Sequence, residues 1–310
     1  MPLFMFLSGY VFYWNCKKND VKTIVVRRFR GIAIPLISWG TVLFIFELRH
    51  GIPQDIILFI ISWMNNIVSI WFLWAILLIS CIVVIVYKYN GNLLKKIILS
   101  IVMFGILIVL PGRINNLFML PYFVIGFLWC KHEIFNSCTF NKIKWLFCLA
   151  WIFLLLFYSK KHYIYTTGLF PNESINLSSI IEQLEIDLFR YIIGFVGTIA
   201  VIDLSRFFYN KIIIKSIKDI IIRGGKISLD IYVMQNILFP IIISKLCVLS
   251  VRSAGKNYFT YNWFCFDFII TFLCATISFL VLIRFSDLVN KSSVISFFFF
   301  GRIREKKVSV

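Results

Sequence analysis

Between Ile70 and Tyr87 the chain runs IWFLWAILLISCIVVIVY, without one charged residue. A helix of that length approaches the roughly 20 apolar residues needed to cross about 30 Å of hydrocarbon. Comparable runs recur along the chain. Hydrophobic residues make up 60% of the 310 and charged residues only 15%, where soluble domains hold roughly 45–50% and 25%. Mean hydropathy is +0.90. A single water-soluble core is excluded, and the sequence predicts an all-α, polytopic helical membrane protein.

About nine spans are expected. The first starts at PLFMFLSGYVFYW after Met1; the others are Ile32–Phe46, Ile70–Tyr87, Ile97–Leu110, Leu117–Trp129, Trp145–Tyr158, Leu188–Leu204, Ile227–Ile243 and Trp263–Ile283. Ile56–Ser69 contains Asn65–Asn66 and runs directly into Ile70, which predicts a re-entrant or interfacial helix rather than a further crossing. The opening run has no charged leader and no small-residue cleavage site, so it reads as part of a membrane helix rather than a signal peptide.

A net charge of +18 is the by-product of insertion bias, because Lys and Arg collect in cytoplasmic loops. It does not call for nucleic acid. Alternating the nine spans from an outer Met1 puts roughly three times as many Lys and Arg inside as outside. The loop Lys17–Arg30 and the tail are then cytoplasmic, and a loop over Ser159–Asp187, with Glu173, Glu182, Glu185 and Asp187, is external. Counting Ile56–Ser69 as a full crossing would invert this. The expected division is a membrane domain over 1–287 and a basic tail over 288–310, with Arg302, Arg304, Lys306 and Lys307 against anionic lipid. The eight cysteines form no CxxC pair and the three histidines no HxxH pair, so no metal site is expected.

Several segments carry a resemblance when taken in order. They are MPLFMFLSGY at Met1–Tyr10, VVRRFRGIAIPLISWG at Val25–Gly40, WFLWAILL at Trp71–Leu78, LPYFVIGFLW at Leu120–Trp129 and GGKISLDIYVMQ at Gly224–Gln235. Together they resemble the integral-membrane acyltransferase family 3, bacterial O-acyltransferases of surface polysaccharides that include fucose 4-O-acetylase-like members. Arg27 and Arg30 match the family's paired arginines ahead of a span with a proline, here Pro35. The resemblance implies transfer of an acyl group, acetyl first, from cytosolic acyl-CoA to a hydroxyl of a surface or lipid-linked glycan. Acyl-CoA is the co-substrate and no further cofactor is implied. The implied location is the inner (plasma) membrane, with a cytoplasmic C-terminus. The family's catalytic His lies at the end of a helix that would precede Met1, so no catalytic residue is assigned; that helix would bring the count to ten. Gln235 stands where the family often has His. The rival readings are an inactive member lacking its first helix and a lipid-linked-sugar transporter or flippase.

Individual residues carry competing readings. On charge alone Arg27, Arg28 and Arg30 are a topogenic cluster or a phosphate site, since guanidinium forks bind phosphate bidentately. The resemblance assigns Arg27 and Arg30 to acyl-CoA and leaves Arg28 open. Ser8, Gly9 and Tyr10 form a packing notch, or Ser8 and Tyr10 line the acyl path. Ser228 and Tyr232 stand one turn apart on one face, lining a cavity or buried as a pair. Asp230, Asp267 and Arg190 lie near span ends, where snorkelling accounts for them. His50, His132 and His162 read as loop histidines. Trp71 and Trp74 read as interfacial anchors, with stacking on a sugar as the alternative.

Overall fold

A computed structural model describes residues 1–51, 55–162, 168, 177–238 and 271–301. Within them the backbone is helical, with no strand. That is the outcome expected where no water is present to bond a free N–H or C=O. Among the described residues, five helical stretches are long and apolar enough to cross a membrane: Val21–Glu47, Trp71–Lys88, Ile114–Lys131, Cys138–Leu156 and Ser178–Lys211. The protein is an all-α, multi-pass membrane protein. Its helices fall into two compact units, one made of Met1–Phe29 and Trp71–Ile213, the other of Arg30–Ile70 and Ile214–Val310.

The first unit holds α1 (Pro2–Lys18), α2 (Val21–Arg28), α5 (Trp71–Lys88), α6 (Leu93–Val109), α7 (Arg113–Lys131), α8 (Cys138–Leu156) and α9 (Leu177–Lys211). Its tightest seam joins α1 to α7. A Cβ at Gly9 would overlap the Phe123 carbonyl, and one at Gly126 would overlap the Phe6 carbonyl. Two glycines thus let the backbones touch, the usual device for packing helices in lipid. Below the seam Phe6, Trp129, Phe135 and Phe140 meet edge to face at 5.4–6.2 Å between centroids. Such pairs contribute about 0.5–1.5 kcal/mol beyond area burial.

The second unit holds α3 (Ile34–Glu47), α4 (Ile56–Ser69), α10 (Lys215–Lys226), α11 (Ser228–Leu238), α12 (Thr271–Val289) and α13 (Ser293–Phe300). Helix α4 spans only about 21 Å at 1.5 Å per residue, and most of its isoleucines are exposed. Its polar residues are occupied: Ser62 Oγ donates to Glu47 Oε2 at 3.0 Å, Asn66 Nδ2 donates to the same oxygen, and Trp63 Nε1 donates to Thr41 Oγ1 at 3.0 Å. Helix α13 docks on α3, where Trp39 Nε1 donates to the Phe299 carbonyl at 2.8 Å.

Two expectations need correcting. Lys17–Arg30 is not a loop, because α2 begins at Val21, with the Asp20 carboxylate accepting the Thr23 N–H as its cap. Nor is Ser159–Asp187 a loop throughout. Helix α9 starts at Leu177 and runs 35 residues, about 52 Å, so Glu182, Glu185 and Asp187 lie on its first turns. Ser179, Gln183, Asp187 and Arg190 recur there at helical spacing, a pattern the acidic composition obscured. The span expected at Ile227–Ile243 begins as α11 at Ser228, and the last expected span is seen from Thr271. Glu173, Cys247, Cys265, Asp267 and the basic residues after Gly301 lie outside the described residues.

Candidate functional site

The most elaborate polar arrangement lies on α9, where Arg190 is only 3% exposed. Its Nη1 donates to Asp187 Oδ1 at 2.7 Å, three residues earlier. Further bonds reach back along the chain to backbone carbonyls. Nε donates to His162 O at 2.8 Å, Nη2 to Lys161 O at 3.2 Å, and Nη1 to Gly168 O. Gln183 Nε2 donates to Gly168 O at 3.2 Å and to Asp187 Oδ2 at 3.1 Å. A buried charge is tolerable when paired and hydrogen-bonded in this way, and the effect is to fasten the turn Lys160–His162 to α9. From α7, the buried Tyr122 hydroxyl donates to Arg190 O at 3.2 Å. Gly194 makes room for that hydroxyl, since a Cβ there would strike it.

The turn carries His162, itself 8% exposed. The Ser159 backbone N–H donates to its Nδ1 at 3.0 Å, and Ser159 Oγ lies 3.2 Å from the same atom. The Phe189 ring packs on the imidazole at 4.3 Å between centroids. Burial, with Lys161 and Arg190 adding repulsion, holds the His162 pKa below its ordinary value. Trp71, Asn115, Tyr158, His162 and Arg190 share the walls of a cavity of about 310 Å³. Trp74 stays outside it, with Nε1 donating to Pro111 O at 2.8 Å. His162 and Arg190, expected to be a loop residue and a snorkelling cation, are thus brought together. The Asp187–Arg190 spacing was the one signal of this in the sequence.

The basic stretch is built differently. Arg28 lies over the Phe12 ring at 4.6 Å. Arg27, in the same last turn of α2, is exposed and has no acidic partner among the described residues. In the second unit Arg30 is also exposed, within the π-helical turn Phe29–Ala33. Ser8 is half-buried on α1, and Tyr10 packs its ring on Phe135 at 5.5 Å. On α11, Ser228 is half-buried and Tyr232 buried. Their neighbour Asp230 accepts from Ser286 Oγ at 3.4 Å; Asn290 Nδ2 donates to Ser286 Oγ at 3.2 Å, and Asn290 Oδ1 accepts from Ser296 Oγ at 2.7 Å.

Sequence reasoning passed over Asp203. It is buried on α9, pairs with Lys144 at 3.5 Å and keeps Oδ2 without a hydrogen-bond partner among the described residues. No three His, Cys, Asp or Glu side chains cluster as metal ligands among the described residues.

No curated protein and no solved structure matches the chain. The family model of an acyltransferase domain, that of acyltransferase family 3, matches residues 1–300, and the chain therefore belongs to this family of acyltransferases.

Proposed function

We propose that this acyltransferase takes an acyl group, acetyl first, from cytosolic acyl-CoA and transfers it to a hydroxyl of a cell-surface or lipid-linked glycan. The enzyme sits in the inner (plasma) membrane with Arg27, Arg30 and the C-terminus on the cytosolic side. In the reaction the acceptor hydroxyl gives up its proton to a base and its oxygen attacks the thioester carbonyl. The tetrahedral intermediate collapses with CoA thiolate leaving. Acyl-CoA is consumed as a co-substrate, and no further cofactor takes part.

The observation that carries the donor half is the contrast within α2: Arg28 is spent on Phe12, while Arg27 is exposed with no acidic neighbour among the described residues. Arg30 is exposed likewise. Guanidinium forks without a carboxylate partner are suited to the phosphates of a coenzyme arriving from the cytosol.

The test is donor binding in the full chain. Lys keeps the charge but loses the two-pronged geometry, and a charged hydrogen bond contributes roughly 1.5–3 kcal/mol. Arg27→Lys and Arg30→Lys should each raise the acetyl-CoA dissociation constant about tenfold or more. Unchanged affinity at normal membrane levels would reduce both residues to topogenic charges. The donor mouth would then be sought near Arg223 and Lys226.

A further inference from the structure

We propose that the cavity beside Arg190 binds the sugar ring of the acceptor, with His162 donating a hydrogen bond from Nε2 to a sugar oxygen and Arg190 positioning His162. The inference rests on the acyl-transfer reading above and on the external side that charge bias gives to this end of α9.

The tautomer comes first. Because the Ser159 N–H donates to Nδ1, that nitrogen carries a lone pair, and the proton of the neutral ring sits on Nε2. Protonating the ring would break the Ser159 bond. Three charged side chains act on the ring: Lys161 and Arg190 oppose an imidazolium, and Glu185 favours one less strongly. Asp187 is already engaged by Arg190 and Gln183. His162 is therefore built to give a hydrogen bond from Nε2, not to take a proton there.

The cavity supplies the rest. At about 310 Å³ it stands at the small end of ligand pockets, suited to one ring rather than a coenzyme. The larger cavity along α5, α6 and α7, about 630 Å³, is walled almost wholly by aliphatic and aromatic side chains such as Ile82, Val86, Ile101 and Phe104, which suits an acyl tail and not a sugar. Around His162, by contrast, the Asn115 amide and the amphipathic rings of Trp71 and Tyr158 share the wall. Aromatic faces meet the C–H faces of a sugar while polar tips meet its hydroxyls. Arg190 holds the carbonyls of residues 161, 162 and 168, which fixes the imidazole against α9 and makes Arg190 a positioning residue.

The experiment uses the full chain in nanodiscs, [¹⁴C]acetyl-CoA as donor and a lipid extract of host membranes as the source of acceptor, titrated at fixed donor. His162→Ala should raise the extract concentration giving half-maximal transfer about five- to tenfold, the loss expected for one hydrogen bond, with acetyl-CoA binding unchanged. His162→Gln, whose amide keeps a donor, should stay within about threefold of the wild type; a role as proton acceptor predicts that Gln fails as badly as Ala. Arg190→Lys should move the acceptor constant and not the donor constant. Should His162→Ala also lose acetyl-CoA binding through misfolding, Trp71→Leu, which leaves the Arg190 and Ser159 bonds in place, carries the test and must raise the acceptor constant. Transfer by His162→Ala and Trp71→Leu that saturates as in the wild type overturns the acceptor site alone. A wild-type chain that binds acetyl-CoA but labels nothing in the extract overturns the acyl-transfer reading, and this inference with it.

Discussion

Arg190 and Arg27 carry the same guanidinium within one unit and are used in opposite ways. Arg190 is buried and its bonds go to Asp187 and to three backbone carbonyls; Arg27 stands exposed with no acidic partner among the described residues. A charge taken out of water is affordable only when it is fully bonded, and then it acts as a clamp. A charge left in the interface remains available to a ligand. The comparison teaches that in this chain the number of internal acceptors, rather than residue type, separates structural from ligand-facing cations.

Sidedness gives the sharpest way to break it, because the expected effect is all or none. In intact cells a membrane-impermeant thiol reagent should label Ser178→Cys, near the Arg190 end, and spare Lys22→Cys, near Arg27. The native exposed Cys138 should also be spared until the membrane is opened, with each site read by mass spectrometry. Labelling at position 22 and protection at 178 would place the two arginines on the reverse sides and remove Arg27 from the cytosol.

The next largest effect is on stability. Arg190→Ala removes the cation paired with Asp187 and the side-chain donor to the carbonyls of residues 161 and 162, leaving only Gln183 on Asp187 and Gly168 O, and breaking a buried pair from one side costs about 3–5 kcal/mol. The surviving folded fraction after heating in detergent, read by size exclusion, should fall well below the wild type. Arg27→Ala should stay within about 0.5 kcal/mol, as surface changes do. Equal losses from the two variants would end the comparison.

A smaller effect follows from pH. The His162 pKa lies below its ordinary value of 6.5 in the folded protein, so the folded state binds a proton less readily than the opened one. The stabilisation is complete above pH 6.5 and is lost as pH falls through the folded value. The protection factor of the His162 amide, which donates to Ser159 O at 3.0 Å, should fall over that range once the intrinsic pH dependence of exchange is divided out. In His162→Gln that fall should vanish, and amides around Arg27 should not take part in either protein.

Much of this was legible in the chain. The apolar runs announced α5, α7 and α8, and the segments around Arg27, Trp71 and Gly224 carried the family resemblance. The glycine at position 9 already suggested a packing notch beside Ser8. Its counterpart Gly126 was visible only as one small residue among many, since nothing in a sequence states which faces of α1 and α7 meet. The acidic run before Arg190 read as an external loop, yet its spacing is helical; Asp187 turns to Gln183 and Arg190, while Glu182 and Glu185 stay exposed. Asn66 suggested an interruption of the membrane segment; in the fold it bonds Glu47 nineteen residues away.

The sequence by itself determined the class: a hydrocarbon solvent leaves a backbone no partner but its own helix, so apolar runs of this length become helices whatever their neighbours. Which polar groups meet was decided only by the tertiary structure. Arg190 finds its partners at residues 161, 162 and 168 through backbone carbonyls, which every residue possesses and no sequence distinguishes. Their meeting depends on how α9 is rotated and where the turn before it lies. That rotation is set by packing contacts such as Tyr122 against Gly194, made between residues far apart along the chain.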